Sequence, residues 1–172
     1  RLARGAKPAP PPALPVVTYD GPVTLHMNGE DIQLIPIRSA HTDGDTLVRF
    51  VGLDILMTGD YYRSIQYPNI DRNNGGTLNG MIDGIGATIG LAGPNTKIIP
   101  GHGPIVDRAA LTAHRDLILA LRDRVATMIK QGKTAPEIIA SKPTADFDSK
   151  VDQAGTTGER FVNQLYAELG GK

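Results

Sequence analysis

Residues 41–60 read HTDGDTLVRFVGLDILMTGD, and this stretch decides the fold. Two runs rich in β-branched and apolar residues, at residues 46–51 and 55–58, are separated by a gap of hairpin size. Such a pattern predicts two antiparallel strands joined by a short turn. Glycine-containing turns flank the pair, with His41 before the first strand and Asp60 after the second. The stretch therefore predicts a strand pair with chemically competent side chains at its ends.

The strand pattern continues upstream of this pair. Residues 24–27 and 32–37 form two further runs, and Asn28-Gly29 follows the first of them. Asn-Gly between two such runs is the strongest short-range signal for a hairpin. Residues 16–58 are therefore predicted to form a meander of antiparallel strands.

The period of the apolar residues becomes helical in the second half of the chain. The first predicted helix contains four glycines, which indicates that it packs closely against a sheet or a partner. Residues 97–100 predict one returning strand before a long helix that ends near Gly132. The predicted N-cap residues of the four helices are Thr77, Asp107, Thr134 and the Thr156-Thr157 pair. An antiparallel meander followed by helices with one returning strand predicts a layered α/β fold.

The composition limits the possible functions. The chain has 172 residues, a formal net charge of zero and no cysteine. The charge balance argues against a general binder of nucleic acid or of anionic membranes. No apolar run is long enough to span a bilayer. Because cysteine is absent, disulfides and thiol catalysis are excluded, and any metal must be held by histidine and carboxylate side chains.

Three segments are predicted along the chain. Residues 1–15 are rich in proline and form a loop or linker. Residues 16–132 form the body of strands and helices, and residues 133–172 form a helical C-terminal extension. The start at Arg1 and the prolines that follow it suggest an interior loop of a longer protein.

Three short motifs carry the candidate chemistry. His41 lies in HTDGDT, Asp60 in TGD and His102 in PGHGP, each in a glycine-containing turn at a strand end. Two imidazoles and one carboxylate form a ligand set suited to zinc, iron or manganese. Each motif alone is a weak signal, but the three together predict a metal site.

The order of these motifs resembles the later metal-binding motifs of the metallo-β-lactamase superfamily. The resemblance covers about residues 16–125. It implies an αβ/βα sandwich with a binuclear zinc site along one edge of the sheets. It also implies that His41 is a ligand of the first metal and His102 a ligand of the second. Asp60 would be the carboxylate that bridges both metals, and hence the catalytic residue of this chain.

The first motif of that superfamily, His-x-His-x-Asp-His, is absent. His26 is the only histidine upstream of His41, and it lies alone in a predicted strand. The resemblance therefore implies the C-terminal half of the fold, with the other ligands elsewhere. We expect two zinc ions in a full-length protein, weak or no zinc binding in this chain alone, and no activity of the chain alone.

Three functions follow from this interpretation. The first is a metal-dependent hydrolase of a β-lactam, thioester, lactone or other ester, of which this chain is a truncated part. The second is a non-catalytic relative that acts as a self-associating interaction module, because a half-sandwich exposes an apolar sheet face. The third is a mononuclear metal-binding domain. The expected partner is the missing N-terminal half or a second copy, besides a small-molecule substrate.

Four further residues are candidates for supporting roles. Asp45 either orients His41 or only forms hydrogen bonds within its turn. Tyr61, Tyr62 and Tyr67 are predicted in a loop that leaves the metal edge. There they either line a substrate pocket or cover the edge of the core.

Overall fold

The computed structural model describes residues 9–151 and 156–171, which form one five-stranded sheet with helices. The strands follow the order β1-β2-β3-β4-β5, antiparallel from β1 to β4 and parallel between β4 and β5. The predicted meander and the returning strand are therefore confirmed. The strands are β1 Val23–Met27, β2 Glu30–Ile37, β3 Asp45–Phe50, β4 Ile55–Arg63 and β5 Lys97–His102. The helices are α1 Leu78–Leu91, α2 Arg108–Lys130, α3 Ala135–Ala140, α4 Ala145–Asp148 and α5 Gly158–Glu168, with 3-10 turns at Pro11–Ala13 and Arg72–Asn74.

Local signals set the hairpin and the starts of the helices. Asn28 and Gly29 have φ values of 54° and 75°, as a two-residue turn between β1 and β2 requires. The side chains of the N-cap residues accept backbone hydrogen bonds in α1, α2 and α5, and a capping box opens α3. The predicted N-caps are confirmed, and Thr157 rather than Thr156 caps α5.

Strand β4 is longer than the sequence indicates. It continues through Asp60 to Arg63 because β5 pairs with it along this length. The register of the pair shifts on both sides of Gly59, whose φ is +60°. The predicted end at residue 58 is therefore wrong, and residues 60–63 belong to the sheet. The strand pattern also starts later than predicted, at Val23 instead of residue 16.

Close packing of α1 explains two of its four glycines. A Cβ atom at Gly84 would lie 2.6 Å from Cγ2 of Ile37, and one at Gly80 would collide with the carbonyl oxygen of Ser39. The helix therefore approaches the end of β2 more closely than a side chain would allow. Gly90 borders open space, so the predicted close packing does not extend to that end of the helix.

The two faces of the sheet have different environments. On one face, Leu47, Leu56 and Ile98 are buried in a cluster with residues of α1, α2, α3 and α5. On the other face, none of the ten aligned apolar residues belongs to that cluster, and Leu25 and Met57 are each 37% exposed. The ten are Val23, Leu25, Met27, Ile32, Leu34, Val48, Phe50, Ile55, Met57 and Ile99, and we call them the open face. The described helices thus cover one side of the sheet.

The segments after residue 132 pack on the same core. Ile138 of α3 and Phe161 and Leu165 of α5 are fully buried in the cluster. The division into segments 1–15, 16–132 and 133–172 stays a prediction. Residues 1–8, 152–155 and 172 lie outside the described part. In that part, every helix lacks the length or the hydropathy needed to cross a membrane.

Candidate metal centre

Asp60, His41 and His102 meet at one edge of the sheet. Asp60 lies in β4, His102 ends the neighbouring strand β5, and His41 precedes β3. Oδ1 of Asp60 lies 3.2 Å from Nε2 of His102, and Oδ2 lies 3.8 Å from Nε2 of His41. The carboxylate therefore lies between the two imidazoles and turns one oxygen toward each. An ionised carboxylate has two acceptor oxygens, so it can offer one to each of two partners.

The ring of His41 is fixed by a backbone carbonyl. Its Nδ1 lies 2.6 Å from the carbonyl oxygen of Asn69. A carbonyl oxygen can only accept, so Nδ1 carries the proton and donates it. In the neutral ring, Nε2 then has its lone pair free on the side of Asp60. A histidine that ligates metal through one nitrogen commonly donates from the other in this way.

Asp45 holds the backbone next to His41. Its carboxylate accepts hydrogen bonds from the backbone N of Thr42 at 2.8 Å and from the Thr42 hydroxyl at 3.0 Å. The described partner of the His41 ring is the Asn69 carbonyl and not Asp45. Of the two roles considered for Asp45, these contacts favour hydrogen bonding within the turn.

Arg63 also belongs to the group of polar side chains around Asp60, and the sequence interpretation missed this residue. Its Nη2 donates to Oδ2 of Asp60 at 3.0 Å, its Nη1 donates to Oε1 of Gln66 at 3.3 Å, and its side chain is only 11% exposed. In a regular strand, residues three apart point to opposite faces. The register shift around Gly59 removes this alternation and lets Arg63 reach Asp60. The positive charge of Arg63 compensates the Asp60 carboxylate.

Tyr61, Tyr62 and Tyr67 are all buried. Tyr61 and Tyr62 lie in β4, so their predicted place in a loop is wrong. The Tyr61 hydroxyl bonds the Thr88 hydroxyl at 2.8 Å, and the Tyr67 hydroxyl donates to Asp148 at 2.7 Å. Burial raises the pKa of each of the three phenols well above 10, so they are neutral. Their burial favours a role in the core over a role in lining a substrate pocket.

His41, Asp60 and His102 are ligand types that zinc prefers, but three ligands are too few for a binuclear site. No group of three or more histidine, cysteine or carboxylate side chains in residues 9–151 and 156–171 is arranged to hold a metal ion. Zinc sites need about four ligands, or three protein ligands and a water in a catalytic site. In a binuclear arrangement, each metal would receive one imidazole and one Asp60 oxygen from the described residues. The cluster therefore fits one part of such a site.

The similarity of this chain to known proteins lies in its fold. No protein-family model matches the chain, and no curated protein matches it by sequence. The stereoselective inverting sec-alkylsulfatase Pisa1 from Pseudomonas sp. matches with a TM-score of 0.71 and 16% identity, over 91% of this chain and 26% of the sulfatase. A metallo-β-lactamase from Pontibacter korlensis matches with a TM-score of 0.52 and 22% identity, over 61% of this chain and 49% of that enzyme.

These similarities confirm the predicted fold class. The chain has part of the metallo-β-lactamase fold, and it spans about a quarter of the alkylsulfatase and about half of the Pontibacter enzyme. The match to the alkylsulfatase leaves 9% of this chain uncovered. Residues 133–172 make up nearly a quarter of the chain, so most of them lie within that match.

Proposed function

We propose that this chain is the C-terminal part of a zinc-dependent hydrolase of the metallo-β-lactamase superfamily. The observation that carries the proposal is the position of Asp60 between Nε2 of His41 and Nε2 of His102. Three motifs that are distant in sequence converge there on a fold shared with metallo-β-lactamases. The open face of the sheet supports the same proposal, because a sandwich requires a second layer on that side.

The residues of this chain would supply and orient part of the ligand shell. Two zinc ions would provide a water of lowered pKa and a Lewis acid for the developing negative charge. His41 is oriented for metal through Nε2 because Nδ1 donates to the Asn69 carbonyl. Arg63 restricts the Asp60 carboxylate by its bond to Oδ2. The remaining ligands would come from the rest of the full-length protein.

The substrate is proposed as an ester or an ester-like bond. The candidates are β-lactams, thioesters, lactones and other esters. Because an alkylsulfatase matches most of the chain, including most of its last 40 residues, alkyl sulfate esters belong in the same panel. Hydrolysis of each class needs a nucleophilic water and stabilisation of negative charge, which develops on the carbonyl oxygen of a carboxylic ester, thioester, lactone or β-lactam and on the leaving sulfate of an alkyl sulfate.

The full-length protein tests this proposal directly. We expect about two zinc ions per chain by elemental analysis, and hydrolysis of at least one class in the panel. Chelation should remove the activity and added zinc should restore it. The isolated 172-residue chain should bind zinc weakly or not at all. A full-length protein without zinc, or tight stoichiometric zinc in the isolated chain, would contradict the proposal.

The open face also favours a second candidate, a self-associating interaction module. Contiguous apolar surface on a protein commonly marks an interface. This candidate predicts that the isolated chain is a dimer by light scattering and that Val48→Lys in β3 makes it monomeric. Val51→Lys in the following turn, outside the open face, is the matched control and should leave the dimer intact. A compact monomer in the wild-type chain would exclude the module.

A further inference from the structure

Helix α5 forms hydrogen bonds with Asn69 and Ile70, and the carbonyl of Asn69 accepts the hydrogen bond from the His41 ring. Gln164 of α5 bonds both backbone groups of Ile70, because its Oε1 accepts from the Ile70 N at 3.2 Å and its Nε2 donates to the Ile70 oxygen at 3.2 Å. The same Nε2 donates to Oδ1 of Asn69 at 3.1 Å. Arg160, one turn earlier, donates to that oxygen at 3.0 Å. The backbone of Ile70 and the side chain of Asn69 are therefore attached to α5.

Residues 69–71 also form two hydrogen bonds with His41. The carbonyl of Asn69 accepts from the His41 ring, and the backbone N of Asp71 donates to the His41 carbonyl at 2.9 Å. Residues 69–71 thus form a strip between α5 and His41. A shift of this strip moves the acceptor of the ring and the backbone of the histidine together.

We propose that Gln164 is a positioning residue for His41. By fixing the backbone of Ile70, Gln164 sets the place of the Asn69 carbonyl and hence the orientation of the His41 ring. The inference rests on the proposed function, since the orientation of His41 matters for chemistry through metal binding. It also gives the C-terminal helices a role in the metal site, although they supply none of its three candidate ligands.

The docking of α5 does not depend on Gln164. Phe161, Val162 and Leu165 are buried in the core cluster, and Phe161 stacks on Tyr67 with ring centroids 5.9 Å apart. Glu168 accepts from the backbone N of Leu78 at 2.9 Å at the other end of the helix. A substitution of Gln164 alone therefore leaves the anchors of α5 in place, and its effect on His41 can be measured in a folded protein.

The test is Gln164→Met in the full-length protein, which keeps the length of the side chain and removes its hydrogen bonds. Asn163→Met, at the neighbouring exposed position of α5, is the matched control. The first readout is the Nδ1–H signal of His41 in NMR spectra of zinc-free protein labelled in histidine. The second is zinc affinity, measured by competition with a chromophoric chelator.

We expect Gln164→Met to shift or broaden the His41 Nδ1–H signal and to speed amide exchange at Asp71. Zinc affinity should fall about 10-fold, the lower end of the effect of outer-shell partners of metal ligands. Asn163→Met should change none of these. An unchanged His41 signal in Gln164→Met would overturn the inference. If the wild-type protein binds no zinc but the His41 signal responds, the positioning role is supported and the proposed function is contradicted.

Discussion

Asp60→Asn in the full-length protein is expected to reduce zinc affinity and hydrolysis by more than about 100-fold. The carboxylate lies between the two imidazoles and offers one oxygen to each. An amide has the same shape but lacks the negative charge and one of the two acceptor oxygens. It could not bridge two cations, and the charge of Arg63 would add to theirs. Zinc affinity by chelator competition and the rate of hydrolysis would measure the loss.

The fold should survive this substitution, because the asparagine oxygen can still accept from Arg63. Far-ultraviolet circular dichroism and urea unfolding would verify this. Asp31→Asn is the matched control, since Asp31 accepts from Nδ1 of His26 at 2.6 Å in an exposed pair on β1 and β2. The control should keep wild-type zinc affinity. Wild-type zinc affinity in Asp60→Asn would exclude Asp60 as a ligand.

Gly101→Ala is expected to lower the free energy of unfolding by about 2–3 kcal/mol. Strand β5 approaches β4 so closely that a Cβ atom at Gly101 would collide with Oδ1 of Asp60 and lie 2.6 Å from the backbone carbon of Gly59. Backbone atoms in a sheet cannot move aside as a flexible side chain can. Since the added methyl group displaces the Asp60 carboxylate, zinc affinity should also fall in the full-length protein.

Gly90→Ala is the matched control for Gly101→Ala. Gly90 lies in α1 and borders open space, so alanine there should raise the free energy of unfolding by about 0.5–1 kcal/mol. Urea unfolding of both variants measures the two effects under identical conditions. The interpretation fails if Gly101→Ala unfolds at the wild-type urea concentration.

Local signals made the larger part of the fold predictable. The Asn28-Gly29 turn and the N-caps Thr77 and Asp107 act over two to four residues, and the structure contains each of them. The meander follows from such turns, because neighbouring strands in sequence are neighbours in the sheet. His41, Asp60 and His102 were identified from short motifs at strand ends, and the structure brings these three side chains together.

The features that escaped prediction depend on contacts between distant parts of the chain. The extension of β4 to Arg63 arises from its pairing with β5, and the register shift at Gly59 brings Arg63 to Asp60. The partner of the His41 ring is a backbone carbonyl, which any residue at position 69 would supply. The prediction that Tyr61 and Tyr62 lie in a loop was wrong because the end of β4 that contains them forms by pairing with β5.

The parallel pairing of β4 and β5 sets an order for the assembly of the site during folding. His41 and Asp60 flank a hairpin, so they come together through local chain closure. His102 reaches Asp60 only after the chain has passed through α1 and returned alongside β4. Such non-local pairing carries a greater entropic cost of loop closure and forms more slowly than a hairpin. The acquisition of the His102 contact would therefore mark the late stage of folding, when the crossover helix has docked.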